Sequence, residues 1–144
     1  MKALLLALVA LCATALPGAA QEVKPAVGSS QVFWVLILKV QPAQFDQMKQ
    51  LVAQIVAAAQ KDPGTLEYEW NVNAAQDTIA VVERYADSAA LIEHGKGFGA
   101  FAKQFFALAK PISFLVFGAP DAAAKKAIAG LHPVYMTTFD GFTR

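Results

Sequence analysis

At 144 residues the chain has room for one domain, and its 12 Lys and Arg nearly balance its 11 Asp and Glu. No run of like charge and no basic stripe occurs, which argues against a nucleic-acid partner. Ten Phe and two Trp in so short a chain predict apolar surface beyond one modest core, as an oligomer interface, a greasy pocket or both.

Residues 1–20 read as a cleaved export signal. Lys2 supplies the positive start, an apolar run follows, and Gly18 and Ala20 are the small residues that precede cleavage before Gln21. Leu11 precedes Cys12, so the pattern is not that of a lipoprotein. The expected location is periplasmic or secreted, with no membrane segment after cleavage. Without Lys2 the formal charge is about zero, and without Cys12 the mature chain has no thiol for disulfides, nucleophiles or metal binding.

Residues 21–31 are polar with Gly, Ser and Pro, predicting a flexible tether. Residues 32–40 form an almost continuous apolar, β-rich run, the pattern of a strand covered on both faces. Pro42 suits a first helical turn, and Phe45, Met48, Leu51, Val52, Ile55, Val56 and Ala59 mark one apolar stripe of an amphipathic helix. Asp62-Pro63-Gly64 stops it.

Two strands follow, with a loop expected at residues 73–76. This pairs Trp70 with Ile79, Tyr68 with Val81 and Leu66 with Glu83. One face then holds Leu66, Tyr68, Trp70, Ile79, Val81, Glu83 and Tyr85. The other holds Glu67, Glu69, Asn71, Ala80, Val82 and Arg84, where Glu67 and Arg84 are expected to form a cross-strand ion pair. That division survives a shift of two residues.

Asp87 or Ser88 can cap a second helix whose buried side carries Leu91, Phe98, Phe101, Phe105 and Leu108. Gly95 and Gly97 permit a bend or break, and Pro111 is expected to end the helix. Residues 112–117 read as a fourth strand, residues 119–130 as a short Ala/Lys helix, and residues 134–139 as strand-like. The order β-α-β-β-α-β over residues 32–118 predicts an α+β, ferredoxin-like protomer with its antiparallel sheet covered by helices on one face. A second copy packed sheet against sheet, giving a dimeric α+β barrel, would cover the other face. Residues 119–144 form a C-terminal extension, expected to pack across a pocket mouth or a partner subunit.

His94 is the one candidate acid, base or ligand in a promising place, because near neutral pH it could take a proton from a phenol or ligate a haem iron. A partly exposed helix-surface His is the plain alternative. Phe98, four residues on, shares its face unless the glycines break the helix. Glu83 could orient the imidazole or act as a base, or simply bond to backbone at the helix start. Tyr68 and Trp70 could stack on a flat ligand or serve the core, and Trp34 belongs to a pocket or an interface. His132 is expected in a solvated loop. No metal-ligand cluster, phosphate-binding loop, Ser-His-Asp grouping or dinucleotide fingerprint occurs.

Gly64-Thr65-Leu66-Glu67-Tyr68 and the run from Glu83-Arg84-Tyr85-Ala86-Asp87-Ser88 to Leu91-Ile92-Glu93-His94 resemble the antibiotic biosynthesis monooxygenase family, which includes small quinol monooxygenases. The Phe-rich helix and Lys110-Pro111 fit the same pattern. The resemblance implies a homodimer and a pocket between sheet and helices. It also implies oxygenation of a phenol, quinol or anthrone with neither flavin nor metal. His94 matches the family's helix His, and Glu83 and Tyr68 match its strand positions. Two departures are visible: Gly95-Lys96-Gly97-Phe98 lacks a second His, and the first strand lacks the Asn of the haem-degrading branch. The expectation is an exported, cofactor-independent monooxygenase on a quinol-type aromatic, with His94 and Glu83 catalytic and Tyr68, Trp70, Phe98 and Trp34 contacting substrate. The alternative is a non-catalytic module that binds a small apolar ligand or haem.

Overall fold

The computed structural model describes residues 30–141. The expected signal segment and nearly all of the tether lie outside them. Five strands form one sheet in the order β2-β3-β1-β4-β5, where β1 is Val32–Val40, β2 Thr65–Val72, β3 Thr78–Tyr85, β4 Ala109–Gly118 and β5 Val134–Met136. The first four strands are antiparallel and ferredoxin-like. β5 extends the sheet in parallel beside β4, a strand beyond the four-stranded arrangement the sequence suggests.

Two long helices lie on one face, α1 at Phe45–Ala59 and α2 at Ser88–Leu108. Pro42 lies in a single 3₁₀ turn, Pro42–Gln44, ahead of α1. Met48, Leu51, Ile55 and Ala59 bury themselves at spacings of three and four, as an amphipathic helix over a sheet requires. Asp87 caps α2 by accepting from the Ala90 N–H at 2.8 Å. α2 is continuous through Gly95 and Gly97, so the break that those glycines permit does not occur. Leu91, His94, Phe105 and Leu108 therefore stay on one buried stripe. The helix ends at Leu108, not at Pro111, because β4 takes over at Ala109.

On β1, Val32, Trp34, Leu36, Leu38 and Val40 face the helices. The opposite face carries Phe33, Val35, Ile37, Val82, Leu115 and Phe117, all half-buried, with Phe33 and Phe117 stacked at 4.6 Å. Arg84 sits 4.6 Å over the Phe33 ring and donates to Glu67 at 2.9 Å, which is the expected cross-strand pair.

The β2–β3 register differs by two residues from the sequence expectation: Trp70 faces Val81 and Tyr68 faces Glu83. The reason is the turn. Asn73 accepts from the backbone N–H groups of both Asp77 and Thr78, drawing residue 77 into the loop. The division into faces survives, except at Leu66. A bulge between Thr65 and Glu67 leaves Leu66 as the extra residue and 50% exposed. β4 repeats this device around Pro111, which cannot donate to the ladder, and Ile112 is 60% exposed.

α3 (Ala122–Ile128), shorter than the 119–130 expectation, is capped by Asp121 and followed by a 3₁₀ turn, Ala129–Leu131. Gly118, with φ of +86°, makes the reversal from β4 toward α3, a conformation that favours glycine. No helix among the described residues is long and apolar enough to cross a membrane.

Candidate active site

A cavity of about 390 Å³ lies between the sheet and α2, closed at one end by α3 and the turn after it. All six side chains singled out from the sequence line it: Trp34, Tyr68, Trp70, Glu83, His94 and Phe98. Leu36, Val81, Phe105, Ile128 and Leu131 complete a wall that is almost wholly apolar. Edge-on aromatic contacts hold this wall. Tyr68 meets Trp70 at 5.7 Å, Trp70 meets Phe105 at 6.1 Å, and Phe98 meets Phe105 at 5.1 Å. Trp34, which could have faced an interface, sits instead inside the protomer against Tyr85 and Phe114.

His94 is 5% exposed, which corrects the partly exposed surface reading. Its Nε2 lies 3.4 Å from Glu83 Oε2, and its Nδ1 lies 3.3 Å from Asp62 Oδ2. The second contact is within reach of the charge but lacks hydrogen-bond geometry. Burial pushes the His94 pKa down, and the Asp62 carboxylate opposes that shift. The ring is therefore neutral near pH 7.

Glu83 is also 5% exposed, and it bonds to side chains rather than to the helix-start backbone. Tyr85 donates its hydroxyl to Glu83 Oε2. Burial pushes the Glu83 pKa up to about 7, opposed by the Tyr85 hydroxyl and the Trp34 indole. The indole Nε1 itself completes no hydrogen bond of good geometry. Burial, with the nearby Glu83 charge, also pushes the Tyr68 and Tyr85 hydroxyls upward, so both remain protonated donors near neutral pH. Glu83, its carboxyl pushed up to about 7, thus stands 3.4 Å from the His94 imidazole, two titratable groups side by side on one cavity wall.

Both ring nitrogens of His94 face carboxylate oxygens. An iron at His94 would have to displace one of them, so the site does not fit axial ligation of haem. Among the described residues, no group of three or more His, Cys, Asp or Glu is placed to hold a metal ion. His132 lies in an exposed turn with φ of +52°, clear of the cavity.

Sequence reasoning missed Asp62 and Tyr85 as a partner of Glu83. Tyr85 could have been read from its period-two phase with Glu83. Asp62 is visible only in three dimensions. Gly64 approaches α2 so closely that a Cβ there would lie 2.5 Å from the Ala90 Cβ, and its carbonyl accepts from the Ala86 N–H. This glycine lets the loop press Asp62 against His94.

Residues 32–105 match the family model for antibiotic biosynthesis monooxygenases, which is half of the chain. The chain belongs to that family. Solved structures agree in fold. MupZ from Pseudomonas fluorescens is 19% identical with a TM-score of 0.71, over 79% of this chain and 94% of that one. A candidate antibiotic biosynthesis monooxygenase from Caulobacter crescentus is 25% identical with a TM-score of 0.57, over 63% and 91%. SnoaB, a cofactor-independent oxygenase from Streptomyces nogalater, is 20% identical with a TM-score of 0.52, over 64% and 95%. No curated protein matches the chain by sequence.

The raised Glu83 pKa has a consequence for stability. The carboxyl titrates near 4.5 when unfolded and near 7 when folded, so the folded state gains most below pH 4.5. That stability is lost as pH rises to about 7, a total of about 3 kcal/mol. Glu83→Gln removes this dependence. Chemical denaturation at about pH 4.5 and about pH 8 should show the variant gaining on wild type by that amount at the higher pH. An unchanged difference would mean that Glu83 titrates like an exposed carboxyl.

Proposed function

We propose that this protein is a cofactor-independent monooxygenase acting on a quinol or related phenol, with Glu83 and His94 as its catalytic pair. The observation that carries this reading is a buried carboxyl, Glu83, 3.4 Å from the buried His94 imidazole on the wall of an aromatic cavity, where burial pushes the carboxyl pKa up to about 7. A general base works best when its pKa lies near the working pH. The family membership and the fold shared with SnoaB support the same chemistry.

The flat ring lies among Trp34, Tyr68, Trp70 and Phe98, with one hydroxyl at the Glu83–His94 pair. Removing that proton gives an electron-rich anion, which is the reductant for dioxygen. For a quinol, dioxygen takes four electrons from the substrate. One oxygen atom enters the ring to give a hydroxyquinone, and the other leaves as water. The protein supplies position, deprotonation and exclusion of bulk water, and no flavin or metal enters the balance.

The purified protein should consume oxygen with a naphthoquinol or benzoquinol above the autoxidation blank, at a rate that rises with pH through about 7 as the pair loses its proton. His94→Ala and Glu83→Gln should each lower kcat by roughly 10²–10⁴-fold. Binding of a quinol without oxygen uptake would favour the non-catalytic, ligand-holding reading of the same cavity.

The outer sheet face supports a homodimer packed sheet to sheet. Phe33, Val35, Ile37, Leu115 and Phe117 form a contiguous apolar surface that no described element covers. Light scattering should give twice the protomer mass for wild type and the protomer mass for Val35→Asp. A monomeric wild type would remove this assembly. The leader-like residues 1–20 support export of the mature chain.

A further inference from the structure

His94 stands between two spaces. On one side is the large cavity, bounded by Glu83 but not by Asp62. On the other, in the seam between α1 and α2, is a recess of about 40 Å³ bounded by Asp62, Ile55, Ala59 and Gly97 but not by Glu83. Among the described residues only His94 and Phe98 border both spaces, and of these only His94 can carry a proton. The recess is wide enough for one water molecule. The Asp62 side chain is 30% exposed, so it reaches solvent where Glu83 does not.

We infer that Asp62 is a positioning residue that fixes the His94 tautomer and gives the substrate proton its way out through the α1–α2 seam, away from the ligand. A neutral imidazole has one N–H and one lone pair. The Asp62 carboxylate charge, 3.3 Å from Nδ1, favours the N–H on that nitrogen electrostatically, although the contact is not an aligned hydrogen bond. Nε2 is then left as the acceptor facing Glu83 at 3.4 Å. A proton taken from substrate by the Glu83–His94 pair reaches Nε2, and the Nδ1 proton passes to Asp62 and on to solvent. The imidazole is then neutral with its N–H and lone pair exchanged between the two nitrogens. The relay runs back when dioxygen is reduced: Nδ1 regains a proton from solvent through Asp62, and Nε2 gives its proton by way of Glu83 to the oxygen atom that leaves as water, so no net proton is lost. No bond other than O–H and N–H changes.

The remaining titratable groups facing His94 are Tyr68 from β2, at 5.2 Å between rings, and Glu83 and Tyr85 from β3. α1 presents Ile55, Ala58 and Ala59 to the recess, all apolar. Among the described residues, Asp62 is thus the one negative charge on the Nδ1 side. Its position depends on Gly64, on the Thr65 N–H bond to the Asp62 carbonyl, and on the Ala86 N–H bond to the Gly64 carbonyl.

The proton-exit role rests on the monooxygenase reading, whereas the coupling of Asp62 to His94 does not, and the test separates them. The ring nitrogens of His94 can be followed by NMR against pH in wild type, Asp62→Asn and Asp62→Glu, with exposed His132 as internal reference. Quinol-dependent oxygen uptake is measured across the same pH range. Asp62→Asn should lower the His94 titration midpoint and disturb the single Nδ1–H tautomer. It should also lower kcat by about tenfold, less than loss of the base itself, and move the acid limb of kcat to lower pH. Asp62→Glu should restore the midpoint and most of the rate. An unchanged tautomer and midpoint in Asp62→Asn would overturn the inference, as would an acid limb that stays in place while the midpoint moves. If wild type consumes no oxygen on any quinol, the proton-exit role falls with the functional reading. The NMR result would still decide the coupling.

Discussion

Everything at this site depends on burying a carboxyl where water cannot reach it. Glu83, on the helix-covered face of β3, has lost nearly all of its solvent, and such a group must find donors, give up its charge, or both. Here it does both. Tyr85 donates to it from two residues along the same strand, and its pKa climbs to where one proton is easily gained or lost near neutrality. His94, four residues before Phe98 on an unbroken helix, meets it from the opposite side. The fold therefore gives up stability above pH 7 to keep a titratable carboxyl in an apolar chamber, a trade common at functional sites.

The chamber itself follows from simple patterning. Alternation along β1 and β3 sends Trp34, Leu36, Val81 and Glu83 to one face, and the i, i+3, i+4 stripe of α2 brings His94, Phe98 and Phe105 to meet them. The C-terminal extension then adds Ile128 and Leu131, closing one end and making the cavity deeper than the sheet and two helices would alone. Its strand β5 lengthens the sheet beside β4, so the extension is anchored at both the helical layer and the sheet edge.

Most of the fold was legible in the sequence because burial there is periodic. The face assignments of β2 and β3 survived a register difference of two residues, since the side-chain period is itself two. The register was not legible, because it turned on the bonds that the Asn73 side chain makes within the loop. Nor were the bulges at Leu66 and Ile112, where one extra residue turns an apolar side chain toward solvent. His94 was visible as a candidate, yet its burial depended on whether Gly95 and Gly97 kept the helical phase. Asp62 looked like part of a helix stop, and only the close packing of Gly64 on Ala90 brings it to the imidazole.

The central claim is that the Glu83–His94 pair takes a proton from a phenol bound in this cavity. The most direct measurement is the visible spectrum of 4-nitrophenol, which dioxygen does not readily attack and whose phenolate is yellow, titrated with protein at about pH 7, where the pair has begun to lose its proton, and read as the change in the phenolate band over a protein-free blank. The account predicts that binding to wild type produces the phenolate band, and that Glu83→Gln binds the phenol without producing it. A phenol that binds wild type and stays protonated, or one that ionises equally well in Glu83→Gln, would contradict the account.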